Sequence, residues 1–102
     1  GPRATGYNNN KTWRQLTVVP RTGDILQVYI SGQGRYAHSV IVTQVKSTSL
    51  TVNNKDMWLD NIIVSQHSSP KIDRSLRNIV ETYGHDNCKI RLIRPKSATF
   101  SE

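Results

Sequence analysis

Three histidines and one cysteine are the side chains of this sequence best suited to proton transfer or nucleophilic attack: His38, His67, His85 and Cys88. Histidine changes its charge near neutral pH and is therefore the usual general base, whereas cysteine becomes a strong nucleophile as the thiolate. No two histidines have the HxH or HxxxH spacing of a metal site, and Cys88 has no CxxC partner. We therefore expect no metal and no other cofactor.

His38 stands near the start of the most hydrophobic stretch of the chain, residues 36–45. The run predicts a strand on which the His38 side chain shares a face with Val40 and Val42. A rigid, partly buried position with one open side suits a general base. From the strand pattern alone, a structural histidine with satisfied hydrogen bonds is the simpler interpretation.

His67 follows a second predicted strand, residues 59–66, on the face of Ile63 and Ser65. If the two strands are neighbours, His67 would approach His38, and a polar group beside an imidazole fixes its tautomer and orientation. An ordinary histidine at a loop edge fits the same position. His85 belongs to a turn-like stretch, residues 84–87, and is expected to be exposed.

The elements that must position these side chains are mostly strands. Alternating or continuous apolar residues predict strands at 25–30, 36–45, 48–52, 59–66 and 88–93. Helical spacing of Ile72, Leu76, Ile79 and Val80 predicts one short helix, capped by Ser69 or Asp73 and ended near Gly84. The fold class is therefore predicted to be α+β, a curled antiparallel sheet of about five strands with one short helix.

The length of 102 residues allows one small domain. We interpret Gly1-Pro2 as the scar of a tag-removing protease, residues 1–12 as a flexible lead-in, 13–95 as the domain and 96–102 as a flexible tail. No apolar run reaches the roughly 18 residues of a membrane span. The net charge of +7 favours polyanionic or acidic partners, and nucleic acid stays open although no base-stacking motif is present.

Several short sequence motifs follow one another along the chain and include the residues discussed above. They are Gly23-Asp24 before the first strand, Tyr36-Ala37-His38-Ser39 running into β-branched residues, Val64-Ser65-Gln66-His67, Asp73-Arg74-Ser75-Leu76, and a last strand ending at Arg94-Pro95. The set resembles papain-like cysteine amidases of the CHAP and NlpC kind. The group most similar to it is that of the putative amidase domains of secreted and toxin-like bacterial proteins.

The resemblance implies that His38 is the general base and that His67 occupies the position of the polar group that orients it. In that family the nucleophilic cysteine lies on a helix before the Gly-Asp strand, yet no cysteine precedes Gly23 here. Either a companion segment carries the nucleophile, or it has been omitted, or catalysis has been lost. Circularly permuted relatives place an Asn-Cys pair after the histidine, which keeps Cys88 open as the nucleophile, although its alternation with Ile90 predicts a buried side chain.

The function expected from the resemblance is amide hydrolysis, most simply of peptidoglycan, by a secreted, cell-wall-associated or delivered protein. An acidic immunity or inhibitor protein would be a natural partner of such a toxin piece. Four residues are expected to contact substrate or partner: Tyr36, Ser39, Arg74 and Arg91. The alternative is a non-catalytic SH3-like β-barrel whose basic face binds cell wall, nucleic acid or a protein.

Overall fold

The computed structural model describes residues 4–66 and 72–96. In chain order its elements are β1 (Ala4–Tyr7), β2 (Ile25–Ile30), β3 (Arg35–Val45), α1 (Trp58–Asn61), β4 (Ile62–Gln66), β5 (Asp73–Ser75), α2 (Leu76–Thr82) and β6 (Ile90–Pro95). Single 3-10 turns span residues 13–15, 31–33, 55–57 and 85–87. The α+β class predicted from the sequence is confirmed, with six strands rather than about five and two short helices rather than one.

All six strands form one antiparallel sheet in the order β1-β6-β2-β3-β4-β5. Within the described ranges the sheet is open, because β1 and β5 each pair on one side only. This differs from the closed barrel that the alternative interpretation as an SH3-like module assumed. The strands β2 and β3 lie at the centre of this sheet.

One face of the sheet forms the core. Along β2 and β3, Leu26 pairs with Val40 and Val28 pairs with His38, so that alternate side chains of both strands point to the same side. The helix α2 and two tryptophans cover this face. The fully buried side chains of the core include Trp13, Trp58, Leu26, Val28, Val42, Ile62, Val64, Leu76, Ile79, Val80, Ile90 and Leu92.

The helix α2 begins and ends at residues that the sequence partly predicts. Ser75, not Asp73, is the N-cap, and its Oγ accepts a hydrogen bond from the backbone N–H of Asn78 at 3.3 Å; Ser69, the other predicted cap, lies outside the described residues. Gly84 follows the end of the helix with a φ of 118°, a left-handed conformation that glycine adopts without strain. A short strand, β5, occupies the positions where the predicted helix would have started.

Three segments differ from the sequence prediction. Ala4–Tyr7, placed in a flexible lead-in, forms the edge strand β1 against β6. Residues 48–52 are a loop rather than a strand, because their carbonyl groups accept side-chain donors: Trp58 Nε1 donates to Thr51 O at 2.9 Å and Lys55 Nζ to Val52 O at 2.8 Å. The predicted strand 59–66 is helical through Asn61 and extended only from Ile62.

The Gly23-Asp24 motif fastens the end of the last strand to the start of β2. The buried carboxylate of Asp24 accepts two hydrogen bonds from Arg94, from Nη2 at 2.7 Å and Nε at 3.0 Å, and a third from the backbone N–H of Arg21 at 2.7 Å. Arg94 Nη2 also donates to the carbonyl of Val19 at 3.0 Å. Gly23 precedes this site with a φ of 96°, so the motif is a structural clamp in this fold.

Candidate active site

His38 lies at the rim of the core face of β3. Its backbone pairs with Val28, which is fully buried, while the His38 side chain itself is only half-buried. Val40 and Val42 continue the same face inward and are almost completely buried. The imidazole therefore sits on a rigid strand with packed neighbours on one side and solvent on the other, as the sequence predicted for this residue.

A glutamine side chain from the neighbouring strand contacts the imidazole. Gln66 on β4 pairs with Val40, and its Nε2 lies 3.1 Å from Nε2 of His38. Both side chains are half-buried. A hydrogen-bonded amide at this point fixes the plane of the ring and selects its tautomer. Gln66 is therefore the polar side chain that contacts the His38 ring among the described residues, whereas the sequence predicted His67 for this role.

His67, the residue predicted for this role, lies outside the described residues. Gln66 was missed because its contact depends on the register between β3 and β4, which places position 66 opposite position 40. Its signal in the sequence is the alternation with Ile62 and Val64, both of which are buried on the core face.

Tyr83 and Arg74 complete the surroundings of His38. The ring of Tyr83, the residue that ends α2, packs on the imidazole with centroids 5.3 Å apart and planes inclined by 38°. Burial, and after it the positive charge of Arg74, holds the pKa of His38 below its ordinary value of 6.5. The imidazole is therefore neutral at pH 7 and able to accept a proton.

The other three predicted contact residues lie away from His38. The pairing of β2 with β3 shifts between Val28 and Tyr29, a bulge that turns Tyr36 to the outer face of the sheet. There Arg91 stacks on the Tyr36 ring at 4.2 Å and donates from Nε to Gln27 Oε1 at 2.6 Å. Ser39 is also exposed on the outer face, in a shallow depression that Ile25, Ile41 and Ser65 share.

Cys88 is part of the core. Its side chain is fully buried, and its backbone N–H donates to the carbonyl of His85 at 3.0 Å. Burial raises the pKa of the thiol to about 12, so that the group is protonated at neutral pH. These surroundings match the prediction of a small buried side chain in alternation with Ile90, and they do not provide the activated thiolate that a nucleophile requires.

His85 lies in an exposed turn, where its Nδ1 is 3.1 Å from Asp86 Oδ1 and its carbonyl accepts a hydrogen bond from Trp13 Nε1 at 3.0 Å. Among residues 4–66 and 72–96, no three His, Cys, Asp or Glu side chains are grouped as metal ligands. In the same ranges, no helix is long and apolar enough to cross a membrane.

The domain thus presents a half-buried histidine with a lowered pKa beside a glutamine at the rim of its sheet, a setting in which an imidazole can exchange protons with solvent or a ligand. The chain belongs to the family described as the putative amidase domain, whose family model matches residues 1–92. Amide hydrolysis is therefore the general activity of the family to which this site belongs. No curated protein and no solved structure shows significant similarity to the chain.

Proposed function

We propose that the chain contributes the general base of a cysteine amidase, with His38 as the base and Gln66 as the side chain that orients it. The observation that carries the proposal is the 3.1 Å contact between Gln66 and His38, at a half-buried position and in a domain of the amidase family. Burial and Arg74 both favour the neutral imidazole, the form that a base requires. The proposal implies that the fold is related to that of the papain-like amidases.

The tautomer of His38 depends on which end of the Gln66 amide faces the ring. In the structure Gln66 Nε2 faces it, which donates to His38 Nε2 and leaves the ring proton on Nδ1. The nitrogen and oxygen of an amide are nearly equal in size, and we propose that in the active form the amide is turned by 180°, so that Oε1 accepts from Nε2–H of His38 and Nδ1 keeps its lone pair. His38 Nδ1 then takes the thiol proton, the thiolate attacks the amide carbonyl, and the imidazolium gives the proton to the departing amine. Water, deprotonated by the same nitrogen, hydrolyses the resulting thioester.

The nucleophile belongs, in this proposal, to a cysteine-bearing segment other than the described residues. Cys88 is fully buried and its thiol pKa is raised to about 12, so it is neither accessible nor ionised. A segment that places a cysteine beside Nδ1 of His38 would complete the catalytic pair. His67 is a second candidate for the orienting group, in addition to Gln66. Peptidoglycan is the proposed substrate, and secretion, cell-wall association or delivery into another cell is the proposed location.

The test is an amide-hydrolysis assay on purified peptidoglycan, with released fragments identified by mass spectrometry. The chain is assayed alone and joined to a cysteine-bearing segment of the kind proposed above. The joined protein should hydrolyse the substrate, and His38→Ala should lower the rate about 10²- to 10⁴-fold. His85→Ala is the matched control, because His85 is exposed and distant in sequence from β3.

Two results would contradict the proposal. Equal rates for His38→Ala and the unmodified protein would remove His38 from the mechanism. Hydrolysis by the chain alone that disappears in Cys88→Ser would instead make Cys88 the nucleophile, in spite of its burial.

A further inference from the structure

A groove lies beside the candidate active site, and Tyr83 is common to both. The groove has a volume of about 240 Å³ and is lined by Tyr29, Ser31, Tyr83, Gly84, Asn87 and Lys89. Tyr83 is the residue that the groove and the histidine share, since its ring centroid is 5.3 Å from that of the His38 ring. A ligand in the groove therefore lies against a residue that also contacts the imidazole.

Lys89 gives this groove its charge. Its Nζ lies 5.0 Å from the centroid of the Tyr29 ring, a cation–π contact that positions the ammonium group without neutralising it. Within the described ranges, no ion pair joins Lys89 to an Asp or Glu side chain. The nearest acidic residue along the chain, Asp86, is already paired with Arg14 at 2.6 Å. The groove thus holds a positive charge with no carboxylate of its own.

The neighbours of Lys89 favour one class of anion. Asn87 and Ser31 are exposed on the same groove and offer neutral amide and hydroxyl donors. One ammonium with neutral donors matches a singly charged carboxylate, whereas a phosphate group is usually bound by arginine forks or several cations. Gly84 and the turn at 85–87, closed by the Asn87 N–H to Gly84 O bond of 2.9 Å, keep this wall of the groove in place.

We propose that the groove between Tyr29 and Tyr83 is a subsite for a carboxylate on the amide substrate, bound by Lys89. The inference rests on the proposed function and deepens it, because it names the substrate class as peptide amides with an acidic group next to the bond that is cut. The scissile amide lies beside His38, and the carboxylate lies beside Lys89. Lys89 is then a specificity-determining residue.

The test measures binding, so that it does not depend on catalysis. Two probes, N-acetyl-Ala-Glu-amide and N-acetyl-Ala-Gln-amide, are titrated into the chain at pH 7 and followed by NMR. The acidic probe should bind roughly 3- to 10-fold more tightly, the gain expected from one partly exposed charge-assisted hydrogen bond. Its binding should shift the amide signals of Gly84, Asn87 and Lys89 and the ring signals of His38, and added salt should weaken the preference.

Variants then assign the preference to one side chain. Lys89→Gln should bind the two probes equally, Lys89→Arg should retain the preference, and Lys46→Gln, at an exposed lysine elsewhere, should behave as the unmodified chain. Equal binding of both probes by the unmodified chain, or a preference that survives in Lys89→Gln, would overturn the proposal. Signal shifts at Lys89 without any at His38 would also overturn it, because the groove would not belong to the catalytic site.

The outcomes separate this inference from the proposed function. If the protein prefers the carboxylate probe but its hydrolysis is unaffected by His38→Ala, the groove remains a carboxylate subsite and His38 is not the base. If His38→Ala abolishes hydrolysis but the two probes bind equally, His38 remains the base and the groove is not a carboxylate subsite.

Discussion

The three neighbours of His38 act on it in different ways. Gln66 fixes the ring through a hydrogen bond, Tyr83 packs on its face, and Arg74 adds a positive charge that disfavours the imidazolium. A structural histidine needs only satisfied hydrogen bonds, whereas a base also needs a neutral ring and a free lone pair at neutral pH. The surroundings of His38 favour the neutral ring, and the orientation of the Gln66 amide decides which ring nitrogen keeps its lone pair.

Replacing Arg74 tests the electrostatic part of this description. Arg74→Gln should raise the pKa of His38 towards 6.5, because it removes the smaller of the two effects that lower it and leaves burial unchanged. The measurement is an NMR pH titration of the His38 ring signals. Arg35→Gln, an exposed arginine at the start of β3, is the matched control and should leave the titration unchanged. A pKa that moves equally in both variants would point to net charge rather than to Arg74.

The burial of Cys88 predicts an unreactive thiol. In the folded chain Cys88 should react with an aromatic disulfide reagent at pH 8 at least about 100-fold more slowly than in urea, because reaction requires local opening and a thiolate. The measurement is the absorbance of the released thiolate over time. Rapid reaction of the folded chain would show that Cys88 is accessible and would restore it as a candidate nucleophile.

The sequence indicated His38 as the candidate base but not the side chains that surround it. His38 could be predicted because it starts an apolar strand and matches a family motif. Gln66 and Tyr83 could not, since each reaches His38 through tertiary structure: Gln66 by the register of β4, and Tyr83 by the way α2 packs on the sheet. Tyr36 and Ser39 were expected to contact substrate or partner, and a bulge and strand alternation place them on the outer face, away from His38.

At the scale of elements, the clamp between Asp24 and Arg94 joins the start of β2 to the end of β6. Only 3% of the Asp24 side chain and 18% of the Arg94 side chain are exposed, and their contact is bidentate. A charge removed from such a pair leaves the other one buried without a partner, which is more costly than losing an exposed ion pair. The clamp therefore supports the central strands on which His38 lies.

Removing one side of the clamp should destabilise the whole sheet. Asp24→Ala is expected to lower the free energy of unfolding by about 3–5 kcal/mol, because it leaves the guanidinium of Arg94 buried and unpaired. Arg91 lies on the same strand as Arg94, but its half-buried side chain is on the outer face. Arg91→Gln should therefore lower the free energy of unfolding by less than about 1 kcal/mol. Urea unfolding measures both. A loss of similar size in the two variants would mean that the ion pair between Asp24 and Arg94 stabilises the fold no more than the contacts of Arg91 do.

The elements that the sequence predicted are those with strong apolar periodicity. Ile25–Ile30 was predicted with its observed bounds, and β3 and α2 were found within a few residues of theirs. The edge strand β1, with the sequence Ala-Thr-Gly-Tyr, has no apolar alternation and is held by backbone pairing to β6. Residues 59–61, which belong to α1, were predicted as the start of a strand because a short apolar run fits a helix and a strand equally well.

For the whole molecule, the open sheet divides the surface into two faces with different properties. The core face is covered and ends at His38, whereas the outer face carries cation–aromatic pairs such as Arg91 on Tyr36 and Lys89 on Tyr29. A net charge of +7 makes acidic substrates and partners favourable for the molecule in general. Lys89 shares a groove with Tyr83, which packs on the ring of His38, so part of this positive charge lies near the histidine.

The lowered pKa of His38 also makes the stability of the fold depend on pH. Between the folded-state pKa and the ordinary value of 6.5, the unfolded chain binds more protons at this site than the folded chain does. Stability should therefore fall as the pH is lowered below 6.5, and His38→Gln should reduce that fall. Urea midpoints at pH 7.5 and 5.5 measure the effect, with His85→Gln as the control. An identical pH dependence in His38→Gln would contradict the lowered pKa.

The central claim, a neutral His38 held by Gln66 so that Nδ1 is free, is tested most directly by the ¹⁵N signals of the imidazole ring. A long-range ¹H–¹⁵N NMR spectrum of the chain at pH 7 distinguishes the two neutral tautomers from the imidazolium. The account predicts a neutral ring with its proton on Nε2, and a population of the other tautomer that rises in Gln66→Leu. A charged ring at pH 7, or a proton on Nδ1 with Nε2 accepting from Gln66, would contradict it, because no lone pair would then be available at the nitrogen that must act as base.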